Sequence, residues 1–68
     1  MSTTSTHTVV GMTCEHCVQA VESEVARIEG VSRATAELAT GRLTVESERP
    51  VDAAAVAAAV DEAGYSLA

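Results

Sequence analysis

Hydrophobic spacing in this chain switches from alternate to helical positions and back, and it does so twice. His7-Thr8-Val9-Val10 reads as a short first strand, and Gly11-Met12-Thr13-Cys14 breaks the pattern as a loop. From Glu15 onward Val18, Val21, Val25 and Ile28 recur at steps of three, four and three, one face of an amphipathic helix that Gly30 ends. Val31 to Leu38 returns to strand spacing with Ala34, Ala36 and Leu38 inward. Thr40-Gly41 marks a hairpin turn, and Arg42 to Glu48 forms a third strand with Leu43 and Val45 inward. Asp52 can cap a second helix, across whose start Val51 and Val56 can pack as a hydrophobic staple. Ala53, Val56, Val60 and Ala63 share one face of it, Gly64 ends it, and Tyr65-Ser66-Leu67 supplies a last short strand. Two strand-helix-strand units in tandem predict an α+β fold of the ferredoxin-like βαββαβ type, a four-stranded antiparallel sheet with two helices on one face. Only the first unit carries cysteines, so thiol chemistry belongs in the first strand-helix loop.

Such a fold must be held by a thin core. A chain of 68 residues buries only about 60% of its unfolded surface. Much of the 47% hydrophobic content is alanine, with no Phe or Trp and Tyr65 as the sole aromatic. Domains of this kind lean on metals, disulfides or partners, so modest stability is expected without metal. The net charge is −6, and the basic residues are four arginines with no lysine. That argues against nucleic acid and anionic membranes as partners. Met1 to Thr6 lacks the basic start and apolar stretch of a secretory signal. The longest apolar run, Ala53 to Val60, falls far short of the ~18 residues that suggest a membrane span. The expectation is a free-standing cytoplasmic protein without membrane insertion, in which residues 1–6 are a flexible polar N-terminus and residues 7–68 a single domain.

In a reducing compartment, two cysteines three positions apart favour metal or redox chemistry over a structural staple. Cys17 falls in the first helical turn and Cys14 just ahead of it. Unpartnered backbone N–H groups and the helix dipole favour negative charge there, and thiolate is the ligating form. The dipole contributes about 0.3–1 kcal/mol, less than about one pKa unit, which leaves both sulfurs mostly as thiol at neutral pH. Affinity for a metal should then rise with pH. Two thiolates without further fixed ligands suit a soft ion of low coordination number, and Cu(I) is the soft choice among common cytosolic metals. Structural zinc wants four ligands.

Gly-Met-Thr-Cys-x-x-Cys after a first strand (Gly11 to Cys17) resembles the heavy-metal-associated domain, and in a short chain it looks most like the CopZ-type bacterial copper chaperones. The resemblance covers roughly residues 7 to 67, and the Gly64-Tyr65 pair supports it. It implies a ferredoxin-like fold, near-linear Cu(I) ligation by Cys14 and Cys17, and transfer through mixed thiolate intermediates to a copper-exporting P-type ATPase. A copper-responsive repressor is a second implied client. The implied apo state is a monomer, with a copper-bridged dimer as a loaded form. Many relatives carry lysines near the metal loop. This chain has none, so its partner is expected to present the basic side.

Three further residues are candidates around the thiols. Met12 is either a soft ligand or, the favoured reading, a gap-filler that tucks into the core and props the loop. His16 is an exposed surface residue, a third ligand in a copper-bridged dimer, or a titratable charge that tunes the thiols. Tyr65 is the largest core residue, and its hydroxyl can also shield the metal loop. His7 reads as a strand residue without chemistry. No acid–base pair, activated nucleophile or phosphate loop appears, so an enzyme is not expected. Two other readings share the Cys-x-x-Cys pair: a thiol-disulfide redox protein, and a domain for mercury or another soft metal.

Overall fold

A computed structural model describes residues 2–68; Met1, part of the expected polar N-terminus, lies outside the described residues. Six elements follow in the expected order: β1 (Thr3–Val10), α1 (Glu15–Ala26), β2 (Val31–Ala36), β3 (Arg42–Ser47), α2 (Ala53–Glu62) and β4 (Ser66–Leu67). The strands form one antiparallel sheet in the order β2-β3-β1-β4. Period-two alternation sends Val9, Leu43 and Val45 to one face, where they meet Val21 and Val25 of α1 and Val56, Ala59 and Val60 of α2 in a single core. Both helices therefore lie on that face, as the apolar spacing predicts. Among the described residues six side chains are fully buried, and five of them are valines with Leu43 the largest. The core is as thin as the composition implies.

The structure corrects several boundaries: α1 ends at Ala26, leaving Ile28 beyond its C-cap Arg27, and β3 ends at Ser47 rather than Glu48. β1 begins at Thr3 rather than His7, so Thr3 to Thr6 are paired with β3 and are not a free tail. β3 offers a ladder as far as the Thr3↔Ser47 pair, and the Ser47 hydroxyl donates to the Thr3 carbonyl at 3.4 Å. Threonine is a good strand former, but these positions are too polar to read as one. β2 stops at Ala36, because Glu37 to Gly41 are taken into the turn. There the Glu37 N–H donates to the Arg42 carbonyl and the Gly41 N–H to the Glu37 carbonyl, each at 2.8 Å. β4 starts one residue later than expected, at Ser66.

That turn places the hairpin directly against the end of β1. The Val9 N–H donates to the Gly41 carbonyl at 2.7 Å. Gly41 has φ +75°, and a Cβ there would lie 2.6 Å from the Val9 carbonyl oxygen, so the crossing requires glycine. β1 then runs out through Val10 into the loop before α1, with the end of α2 and Tyr65 beside it.

Candidate metal centre

Cys14 is the N-cap of α1. Its backbone is extended (φ −155°, ψ 170°), and its carbonyl accepts from the N–H groups of Cys17 at 3.1 Å and Val18 at 3.2 Å. Its side chain makes no capping hydrogen bond. Cys17 sits one turn on, so the helix geometry brings the two sulfurs to 3.1 Å from each other. Both cysteines are free, Cys14 exposed and Cys17 half-buried.

Tyr65 reaches this loop through the way α2 ends. After the C-cap Ala63, the Gly64 N–H donates to the Asp61 carbonyl at 2.9 Å and the Tyr65 N–H to the Val60 carbonyl at 3.0 Å. This is a Schellman ending with Gly64 at φ +94°. It turns the Tyr65 ring against the loop, where a Cβ on Gly11 (φ +102°) would come within 3.2 Å of Tyr65 Cδ1. Gly11 thus leaves room for the ring and gives the loop its left-handed turn.

The Cys17 thiol is lowered from its ordinary 9.0 to about 6. Hydrogen bonding from the Tyr65 hydroxyl is the largest cause, followed by the Thr13 backbone N–H and the Cys14 thiol, against a smaller opposing effect of burial. The Thr13 hydroxyl lies 3.9 Å from the Cys17 sulfur. The Tyr65 phenol moves the other way, because it keeps its proton as donor to Cys17 and because burial disfavours its anion. The expectation that both sulfurs stay mostly protonated at neutral pH, drawn from the helix dipole alone, therefore fails for Cys17.

Of the residues singled out in the sequence, Cys14, Cys17 and Tyr65 come together. Met12 is half-buried and packs against the core. His16 is exposed on the first turn of α1. Among the described residues no three His, Cys, Asp or Glu side chains are grouped to hold a metal ion, so His16 does not complete a set with the thiols within one chain. His7 lies in β1, its Nε2 3.3 Å from the Ser5 hydroxyl and well removed from the thiols in sequence and strand position. Gly11 and Thr13 belong to the Gly-Met-Thr-Cys-x-x-Cys motif, but the sequence alone assigns neither a role of its own. Their roles depend on Tyr65 and on the Cys17 sulfur, contacts that the motif by itself does not reveal.

The fold is an antiparallel sheet backed by two helices, with a free cysteine pair at the start of the first helix. Comparison with known proteins narrows the class: the heavy-metal-associated domain family matches residues 6–66, and the chain belongs to that family. The COP-associated protein of Helicobacter felis is 42% identical over 59 residues, covering 87% of this chain and 89% of that protein. Copper-transporting ATPase 2 of Rhizobium meliloti is 41% identical over 58 residues, 85% of this chain but 7% of the ATPase. The solved structure of a CopZ metallochaperone matches with a TM-score of 0.90 at 31% identity, covering 97% of this chain and 100% of that one.

Proposed function

We propose that this protein is a cytoplasmic copper chaperone in which Cys14 and Cys17 hold one Cu(I) ion and release it to the cysteine pair of a copper-exporting P-type ATPase. The observation that carries this reading is the pair of free thiols 3.1 Å apart at an exposed helix start. Two sulfurs without a third fixed ligand suit a soft ion and leave it open to attack by an incoming thiolate. Likeness to a CopZ metallochaperone and to a segment of a copper-transporting ATPase supports both the cargo and the client.

The arrangement divides the work between the two sulfurs. With metal–sulfur bonds of roughly 2.3 Å, an ion held near the line between them needs the sulfurs further apart than 3.1 Å. Cys14 supplies that movement, since it stands ahead of the first helical residue, whereas Cys17 is fixed within α1. During transfer a partner thiolate forms a bond to the ion as the bond to Cys14 breaks. Cys17 leaves last, when a second partner thiolate replaces it. The ion's oxidation state does not change. The same exchange serves a copper-responsive repressor as a second client.

Anaerobic titration of the reduced protein with Cu(I) against a chromophoric chelator tests the reading. One ion per chain should bind, and Cys14→Ser and Cys17→Ser should each lose it. Binding no tighter than to a small free thiol would overturn it. The short sulfur contact also favours a thiol-disulfide redox protein as the competing reading. Reductase turnover that survives with copper chelated would select that one instead.

A further inference from the structure

The helices cover one face of the sheet and leave the other to solvent. By the alternation that sends Val9, Leu43 and Val45 to the core, the intervening residues of β1, β2 and β3 stand on this open face, all exposed or half-buried. The strand register sets them in three rungs. Thr6, Thr44 and Thr35 lie opposite one another across β1, β3 and β2 and form the middle rung. On one side of it is the rung Thr4, Glu46 and Arg33, where the Arg33 guanidinium and the Glu46 carboxylate are 4.0 Å apart. On the other is Thr8, Arg42 and Glu37, the last set opposite Arg42 by its N–H, which donates to the Arg42 carbonyl at 2.8 Å.

This pattern is its own complement. Reversing the order of the rungs, with each residue kept on its strand, exchanges glutamate and arginine on β3 and again on β2. It leaves threonine on β1 and along the middle rung. The face is also neutral, two arginines against two glutamates, whereas the side chains elsewhere carry the whole net charge of −6.

We infer that the open face of the sheet is a self-association surface, on which a second copy of the chain packs face to face about a two-fold axis lying along the middle threonine rung. Such an axis turns the rungs of one copy end for end against those of the other. Glu46 then meets Arg42 of the second copy and Arg33 meets its Glu37, each contact made twice. Threonine meets threonine at every remaining position, with hydroxyls that both donate and accept. Facing sheets cross at about 30°, which moves the end rungs sideways by only about 3–4 Å, within reach of arginine and glutamate side chains. Charge decides for a second copy against a uniformly acidic or basic partner: signs in this order are matched by the face's own reversed image and not by a surface of one sign. The three rungs span a footprint of roughly 14 by 20 Å, well below the ~800 Å² that each partner buries in a standard interface, so the pair is transient and forms at high concentration. The axis points the two β1 ends, and with them the Cys14–Cys17 loops, in opposite directions, so both thiol pairs stay open. The association therefore differs in geometry from a copper-bridged dimer and stands whether or not copper is the cargo.

The test uses the full reduced chain with a metal chelator present. Sedimentation equilibrium up to millimolar protein should show a monomer–dimer equilibrium. Amide shifts that move with concentration should fall on Thr6, Thr35 and Thr44 and not on Cys14 and Cys17. Arg33→Glu and Glu37→Arg are the deciding variants, since both positions are exposed and lie on the β2 side, at the edge of the sheet opposite β4. Each variant alone sets like charges together twice and should weaken the dimer roughly tenfold. An equimolar mixture of the two should recover the parent's association, because in the mixed pair every contact again joins opposite charges. Recovery on mixing also shows that both variants are folded. Thr44→Glu, which meets its own copy on the axis, should abolish association. Three results overturn the inference: no dimer at millimolar protein, shifts confined to the thiol loop, or a mixture that associates no better than either variant alone.

Discussion

Both helices begin after an extended residue at equivalent places in the two strand-helix-strand units, Cys14 before α1 and Asp52 before α2. Asp52 does what an N-cap usually does: its Oδ1 accepts from the Ala54 N–H at 3.1 Å, one of the donors that a helix start leaves unpaired. Cys14 provides no such bond. The first helix start forgoes an interaction worth about 0.5–2 kcal/mol. What it keeps is a pair of sulfurs in a region of positive potential, next to unsatisfied donors. One helix start is finished for stability, and under the proposed function the other is left open for an incoming ion. In a domain whose core is almost entirely valine and alanine, that is a sizeable share of the total.

The largest expected effect breaks the comparison at the thiols. Removing either Cys14 or Cys17 turns a two-point grip into a single ligand, and the loss of an intramolecular second site is about 10²–10⁴-fold in affinity. Cu(I) competition titrations of Cys14→Ser and Cys17→Ser should show losses of this order. Asp52→Ala, at the equivalent cap, should leave copper affinity unchanged. A parallel loss in Asp52→Ala would mean that the thiol site depends on overall stability rather than on its own helix start.

How much of this asymmetry was legible in the sequence varies with the kind of interaction. The Val18, Val21 and Val25 stripe and the Asp52 cap were readable, because each depends on spacing within one element. The cysteine pair was readable for the same reason. The start of β1 was not, since Thr3 to Thr6 form a strand only because β3 extends to Ser47 and pairs with them. The acidity of Cys17 was misjudged because its largest cause is a residue 48 positions away, Tyr65. The Tyr65 ring reaches the loop through the Schellman ending at Gly64 and the space left by Gly11. Local periodicity carries no information about either.

Tyr65→Phe tests that long-range contact. Loss of the hydroxyl should raise the Cys17 thiol from about 6 back toward its ordinary range, so that it is less ionised at pH 7. The rate of iodoacetamide alkylation at Cys17 against pH, resolved by mass spectrometry, would report the shift. The linkage has a definite sign. A thiol whose folded pKa is depressed favours the folded state when ionised, so apo stability should rise between about pH 6 and pH 9 and be lost as pH falls through 6. The phenylalanine variant should show a flatter profile. Equal alkylation profiles would remove Tyr65 as the cause.

A smaller change is expected at the capped helix. Asp52→Ala should cost about 1 kcal/mol, or about 4–8 °C in Tm for a domain of this size. Thermal unfolding followed by circular dichroism would read it, with the alkylation rate of Cys17 as a control that should not move.

The sharpest form of the comparison makes the two helix starts alike. Cys14→Asp places a carboxylate at the N-cap of α1, where it can accept from the unpaired first-turn N–H groups as Asp52 does in α2. The gain is limited to about 0.5–1 kcal/mol, because the new charge lies beside Glu15 and near the sulfur of Cys17. It also removes a thiol that helps hold Cys17 ionised and sets a carboxylate in its place, so Cys17 should become less acidic. The variant should therefore melt slightly higher than the parent apo protein, alkylate more slowly at Cys17 at pH 7, and bind Cu(I) no better than Cys14→Ser. A lower Tm in Cys14→Asp would mean that the extended backbone at this position does not suit a capping carboxylate. The open helix start would then be imposed by the shape of the loop rather than by the choice of cysteine.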